Sequence, residues 1–257
     1  VKRLCGKVAV VTGGAGLLGR ATCQRLAAEG AAVVVADRQM NAAKALADAM
    51  LESGGQAVAV EADVADAAGA QRLMKATHDQ LGRLDVLVNI AGLQSKARHD
   101  EISLEHWNAV IQGNLTATFL CIQAAIPLMV NNGGGRVINM SSFAVNGVPW
   151  FRQAGQGRSA YAAAKAGILG LTRTLSGELA ELNINVNAVV PGPVREPEDR
   201  ASIDALERNP LIKTPPLALI PKGRYATPDD VANAILFFAS DESEFITGES
   251  LAITGGL

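Results

Sequence analysis

Val8-Ala9-Val10-Val11-Thr12-Gly13-Gly14-Ala15-Gly16-Leu17-Leu18-Gly19 passes from an apolar, β-branched run through a glycine-rich turn into helical spacing. Continuous apolar runs of this kind mark strands buried on both faces. Glycines are needed where a strand turns sharply into a helix and a pyrophosphate approaches the backbone. The helix N-terminus then offers free N–H groups and a partial positive charge to the phosphates. A glycine string alone is a weak signal, but here a strand precedes it and a helix follows, as a dinucleotide turn requires.

Outward from this turn, similar runs recur at Ala31–Ala36, Ala57–Val60, Val86–Val88, Arg136–Met140, Ile184–Val190 and Ser250–Ile253. Between them lie helical patterns at Arg20–Glu29, Ala42–Glu52, Gln71–Leu81, Leu104–Val130, Ala160–Leu182 and Asp230–Ala239. This alternation predicts an α/β fold, a parallel sheet with helices on both faces. The length, 257 residues, suits one large domain. From Gly192 to Tyr225 the rhythm breaks. That segment carries Pro193, Pro197, Pro210, Pro215, Pro216 and Pro221, with a short helical stretch at Ser202–Arg208 and an apolar patch at Pro216–Ile220. A long irregular segment inside a domain is usually functional, and the reading is a substrate lid at about 192–225.

Asp37 ends the second run, 24 residues after Gly13. A carboxylate there accepts hydrogen bonds from the adenosine ribose and repels a 2′-phosphate, which favours NAD over NADP. An Asp at a strand end also serves as a turn residue. Arg38 weighs the other way, because its guanidinium could hold a 2′-phosphate. Asp63, after the third run, fits either the adenine edge or the N-cap of the next helix.

Composition excludes several classes. Net charge is −2, with no basic excess to suit nucleic acid, and aromatics are only 4%, too few for base-stacking platforms. No uninterrupted apolar run reaches the length of a membrane span, and Val1 to Lys7 has no apolar core of a secretory leader. A cytoplasmic location is expected. Cys5, Cys23 and Cys121 include no CxxC pair and read as reduced thiols. His78, His99 and His106 form no metal-binding spacing, so no metal is expected.

Tyr161-Ala162-Ala163-Ala164-Lys165 sits in a helical pattern, where an i,i+4 pair shares one face about 6 Å apart along the axis. A tyrosine with its usual pKa near 10 is a poor base at neutral pH. An ammonium about 4 Å away is worth about 4 kcal/mol at an effective dielectric near 20, enough to bring the phenol into a useful range. Ser141-Ser142 and Asn89-Ile90-Ala91-Gly92 follow strands, at the edge where α/β proteins bind ligands, and Pro191-Gly192 ends the sixth run.

The glycine turn at 12–19, Asp37, Asp63, Asn-x-Ala-Gly at 89–92, Asn114, Ser142, Tyr-x-x-x-Lys at 161–165, Pro191-Gly192 and a late Ile246-Thr247-Gly248 occur in one order along nearly the whole chain. In this the sequence resembles the short-chain dehydrogenase/reductase family. The resemblance implies a Rossmann-like, doubly wound, seven-stranded parallel sheet in a single domain, and a homotetramer or homodimer. It implies that Tyr161 is the general acid in ketone reduction and the base in alcohol oxidation. Lys165 would depress the phenol's pKa and hold the nicotinamide ribose, Ser142 would bond the substrate oxygen, and Asn114 would hold a relay water. Ser141 stands beside Ser142 as the alternative hydroxyl. The cofactor set it implies is Gly13, Gly16, Leu17, Leu18, Gly19, Asp37, Arg38, Asp63, Val64, Asn89, Ala91, Gly92, Tyr161, Lys165, Pro191, Gly192 and Val194.

The chain also departs from that family's pattern. Leu17 stands where a glycine is usual, giving the Thr-Gly-x-x-Gly-x-x-Gly of the larger epimerase branch, and Ile90 replaces an Asn. Glu196 takes the place of a Thr that contacts the nicotinamide amide. Ser142 and Tyr161 lie 19 residues apart, about six more than the family usually shows; the extra stretch includes Pro149-Trp150-Phe151-Arg152. The expected function is NAD(H)-dependent interconversion of a secondary alcohol and a ketone. The alternatives are a 3-oxoacyl thioester reductase, a non-catalytic nucleotide-binding protein, or an epimerase-like enzyme. Trp150, Phe151, Leu217, Leu219 and Ile220 suggest an apolar pocket, and Arg152, Arg158 or Arg195 could meet a substrate anion.

Overall fold

A computed structural model describes residues 2–196 and 198–257; Val1, and Pro197 of the expected lid, lie outside the described residues. Seven strands form one sheet: β1 (Val8–Thr12), β2 (Ala32–Asp37), β3 (Gln56–Glu61), β4 (Val86–Asn89), β5 (Gly135–Met140), β6 (Ile184–Pro191) and β7 (Ser250–Ile253). The helices are α1 (Leu17–Ala28), α2 (Met40–Glu52), α3 (Ala67–Leu81), α4 (Leu104–Ile111), α5 (Ala117–Asn131), α6 (Pro149–Gln153), α7 (Ser159–Glu178), α8 (Arg200–Glu207), α9 (Pro216–Leu219) and α10 (Pro228–Ala239). All seven expected strands are present. Helix α1 starts three residues earlier than the apolar spacing indicates, because its first turn carries glycine turn residues rather than core residues.

The strand order is β3-β2-β1-β4-β5-β6-β7, and every pairing is parallel. The chain therefore winds one way from β1 and the other way from β4, which makes the β1–β4 gap the switch point where such sheets bind ligands. All five residues of β1 are buried, as its uninterrupted apolar run requires. On one face Val35, Leu26, Leu46 and Ile235 join β2 to α1, α2 and α10. On the other, Val10, Val34, Leu73 and Ile122 join the sheet to α3 and α5. At the opposite edge from the switch-point crevice, the buried Asp85 carboxylate accepts from the Val8 amide at 2.8 Å and from both sides of the Arg83 guanidinium. That network satisfies a charge that burial would otherwise penalise.

The pattern at Leu104–Val130 is one continuous helical stretch, α4 and α5, joined by a π-helical turn at Gln112–Thr116. Among the described residues this stretch, Leu104–Asn131, alone has the length and mean apolarity of a membrane span. It is not an uninterrupted apolar run, because Gln112, Asn114 and Gln123 break it. In the fold its core side packs against α3 and α7.

The expected lid is ordered around α8 and α9. Ile212, Leu206 and Leu219 from it pack on Val148, Trp150 and Phe151, so the long stretch between Ser142 and Tyr161 and the lid close over one another. Glu207 ties this segment together, accepting from the Leu217 amide at 3.1 Å and from the Tyr225 hydroxyl.

Candidate active site

A cavity of about 830 Å³ opens along the carboxyl ends of the strands. At one end the glycine turn wraps the start of α1. Gly13 adopts a left-handed conformation (φ 67°), and a side chain there would press to 3.0 Å on the Ala91 backbone. Gly16 caps α1 with no side-chain bond, and the first turn carries no acidic residue. The N–H groups of Leu17, Leu18 and Gly19 thus stand free at the cavity wall, as a helix start leaves them. These donors suit a pyrophosphate.

Asp37 serves as a turn residue at the end of β2. Its carboxylate accepts from the Gln39 amide at 3.0 Å, a turn bond, and from the Ala15 amide at 3.1 Å, which pins the glycine turn to β2. It also lines the cavity, as do Arg38, Asp63 and Val64. Asp63 is not the helix cap. Asp66 caps α3, accepting from the Gly69 amide at 2.9 Å, while Asp63 faces Arg38 at 4.0 Å. The Arg38 guanidinium thus has a carboxylate neighbour on the cavity wall.

Ala91, Gly92, Pro191, Gly192 and Val194 also line the cavity. Asn89 does not: its amide donates to Asn139 Oδ1 at 3.0 Å and braces β4 to β5 inside the sheet. Neither do Leu217, Leu219 and Ile220; Leu206 supplies the lid's apolar surface instead.

At the other end, Tyr161 and Ser142 share the wall. The two serines are separated by their partners. Ser141 is buried and its Oγ donates to the Lys165 carbonyl at 2.9 Å, whereas the Ser142 hydroxyl faces the cavity and accepts only the Ala144 amide at 3.2 Å. Lys165 lies behind Tyr161, fully buried. Its Nζ donates to the Met140 carbonyl at 2.8 Å and sits 5.6 Å from the Tyr161 ring centre. Burial pushes the Lys165 ammonium down to about 8.

Helical spacing predicts that Lys165 pulls the Tyr161 phenol down. In the structure the largest influence on Tyr161 is burial, which raises it, opposed by the Ser142 hydroxyl and the Arg158 charge. The reason is geometric: the lysine side chain folds under the ring toward the end of β5.

Asn114 sits in the π-helical turn, buried. Its Nδ2 donates to Leu93 O at 2.9 Å and Val110 O at 2.8 Å, while its Oδ1 is buried with no partner. That oxygen points at Gly92: a Cβ added there would lie 2.5 Å from Asn114 Oδ1 and 3.5 Å from Lys165 Nζ. Only a glycine lets this acceptor and this ammonium share the space, and a buried acceptor without a partner calls for a water or ligand donor. Sequence order found Asn114, but nothing in the sequence signals the π-helical turn that aims it; such turns recur at functional sites.

Arg158 was a weak candidate in the sequence and stands on the cavity wall. Its Nη1 donates to Gln94 Oε1 at 2.6 Å and to the Ser95 carbonyl at 3.1 Å. Its guanidinium carbon lies 4.1 Å from the Phe151 ring centre and 5.8 Å from that of Tyr161. Arg195 also reaches the cavity, while Arg152 does not.

Residues 14–257 match the family model of enoyl-(acyl carrier protein) reductase. The chain is 40% identical to a 3-oxoacyl-(acyl-carrier-protein) reductase of Synechocystis sp., over 99% of this chain and 98% of that one. It is 40% identical to the trans-4-hydroxycyclohexanecarboxylate dehydrogenase of Sinomonas cyclohexanicum, over 99% and 93%. A solved chain from Burkholderia xenovorans, assigned to the short-chain dehydrogenases/reductases, superposes with a TM-score of 0.87 at 34% identity, covering 100% of this chain and 98% of that one. The chain therefore belongs to the short-chain dehydrogenase/reductase family, oxidoreductases that use nicotinamide cofactors on CH–OH and carbonyl groups.

Proposed function

We propose that this chain is an NAD(H)-dependent enzyme that interconverts a secondary alcohol and a ketone, with Tyr161 moving the proton. The cluster of Tyr161, Ser142, Lys165 and the unpartnered Asn114 oxygen on one side of a dinucleotide-sized cavity carries this reading. A bound nicotinamide supplies the hydride in one direction and accepts it in the other.

Each residue has a derivable part. Ser142 Oγ already accepts the Ala144 amide, so its own proton is left to donate to the substrate oxygen. The Tyr161 hydroxyl gives its proton to a ketone oxygen in reduction, and its phenolate takes the alcohol proton in oxidation. An ammonium has three donors, and Lys165 spends one on Met140. The other two serve the nicotinamide ribose and a water held by Asn114 Oδ1. Leu17, Leu18 and Gly19 hold the pyrophosphate. The Asp37 carboxylate at the adenosine end, with Arg38 drawn to Asp63, supports NAD over NADP.

A second reading, reduction of a 3-oxoacyl thioester, is favoured by the likeness to the Synechocystis reductase. Association into a homodimer or homotetramer is supported by an apolar surface groove lined by Leu115, Phe119, Gly170 and Leu171.

The test is a panel of ketones, secondary alcohols and acetoacetyl thioesters with NADH and NADPH, run on the wild type and Tyr161→Phe. The expected result is NADH-dependent turnover of free ketones that falls about 10²–10⁴-fold in the variant, with NADH binding intact. Wild-type rates in Tyr161→Phe would end the Tyr161 assignment. Faster thioester reduction would select the second reading, and a preference for NADPH would overturn the Asp37 argument.

A further inference from the structure

The charges lining the cavity are segregated. Its only acidic wall residues among those described are Asp37, at the end of β2, and Asp63, just after β3, which faces Arg38. Arg158 lies 5.8 Å from the Tyr161 ring centre, and Arg195 lines the cavity just after β6. Three strand spacings of about 4.8 Å separate β2 from β5 in this sheet, or about 14 Å. The acidic end cannot neutralise the basic one across that distance and the intervening pyrophosphate site.

Neither arginine has a carboxylate within 4.0 Å among the described residues. Arg158 spends Nη1 on Gln94 and Ser95, and Arg195 spends Nη1 on the Val194 carbonyl at 2.7 Å. Among the described residues the Nε of each is buried without a partner, and Nη2 of each has no acceptor. Burial pushes Arg158 down, the Tyr161 phenol opposes this, and the Arg195 charge adds a smaller downward push. Both are held by aromatic rings, Arg158 over Phe151 at 4.1 Å and Arg195 over Tyr225 at 5.8 Å. Half-buried cations beside apolar walls, rigidly posed and without counter-ions, are a costly arrangement that a ligand anion relieves.

We infer that Arg158 and Arg195 form a carboxylate clamp, and that the substrate is a hydroxy acid or keto acid whose carboxylate they hold while its carbinol or carbonyl carbon lies at Tyr161. This rests on the alcohol–ketone reading above and adds the substrate's charge. The phosphates of a dinucleotide are a poorer fit for Arg158, which is tied to the loop after β4 and to α6 and faces the phenol rather than the glycine turn.

The probes are 4-oxocyclohexanecarboxylate and its neutral primary amide, with wild type, Arg158→Gln and Arg195→Gln. Wild type is expected to favour the acid over the amide in kcat/KM. A charge-assisted pair of this kind is worth about a tenfold to hundredfold preference, and each variant should lose most of it while NADH affinity is kept. Binding of the acid to the enzyme–NADH complex, followed by NADH fluorescence, gives a readout that needs no turnover. Tight acid binding lost in Arg158→Gln, with no turnover of any ketone, would keep the clamp and sink the alcohol–ketone reading. Turnover with equal kcat/KM for acid and amide would sink the clamp and keep that reading. Loss of NADH affinity in Arg158→Gln would reassign the arginine to the dinucleotide and overturn the proposal.

Discussion

Lys165 holds its charge in a place that offers one protein acceptor, the Met140 carbonyl. Its pKa falls from the ordinary 10.5 to about 8 because burial disfavours the ammonium. The unfolded chain keeps that proton up to about pH 10.5, so between pH 8 and 10.5 the unfolded state binds more protons and stability rises with pH. Below pH 8 the penalty is complete, about 3 kcal/mol at about 1.4 kcal/mol per pH unit. Lys165→Met should therefore melt about 5–10 °C above the wild type at pH 7, inactive as it will be. Thermal unfolding of both proteins across pH 7–10.5 checks this; the gap should shrink as pH rises, and a gap independent of pH would refute the cost. At this scale the sequence revealed much of the site, because Tyr161, Lys165 and Asn114 occur in a recognisable order. It left Ser141 and Ser142 open, since only the fold shows that the first is spent on the Lys165 carbonyl. Arg158 was legible only as one of three candidate arginines, because the partners that set it on the cavity wall, Gln94 and Ser95, lie 64 and 63 residues away.

Between strand and helix, the glycine turn shows which positions are constrained by backbone and which are free. A Cβ on Gly19 runs into the Gly13 carbonyl oxygen and comes to 2.7 Å from Gly14 Cα, whereas one on Gly16 meets only Gly13 O at 3.3 Å. Gly19→Ala should open the turn, at a cost of about 1–3 kcal/mol in stability, and weaken dinucleotide binding. Gly16→Ala should do much less. Titration of NADH fluorescence against both variants checks the order, and equal losses would contradict it. The same geometry explains why Leu17 is tolerated where the family usually has glycine. It is the first helical residue of α1 and is 44% exposed, so its side chain meets open space. The strands were legible because buried parallel strands read as apolar runs. The π-helical turn and α6 were not. The first is accompanied by the side-chain bond of Asn114 to Val110 one turn back, and the second is a five-residue helix that packs on residues of the 192–225 segment.

For the molecule as a whole, the apolar groove between α5 and α7 is the surface on which association can be tested. Phe119 is 44% exposed there, and a Cβ on Gly170 meets nothing within 4 Å. Gly170→Arg should leave the monomer fold intact, as its circular dichroism would show, while shifting the sedimenting species toward monomer. An unchanged assembly would clear this face of the role. The sheet order has a further consequence, for synthesis. β1 lies in the middle of the sheet and is paired by β2, complete at Asp37, and by β4, complete at Asn89. At about 5–20 residues per second on the ribosome, roughly 3–10 seconds separate the emergence of those two partners. For that interval one hydrogen-bonding edge of a strand that is wholly buried in the finished fold stays unclaimed on the nascent chain. It is the surface a trigger-type chaperone would have most reason to shield.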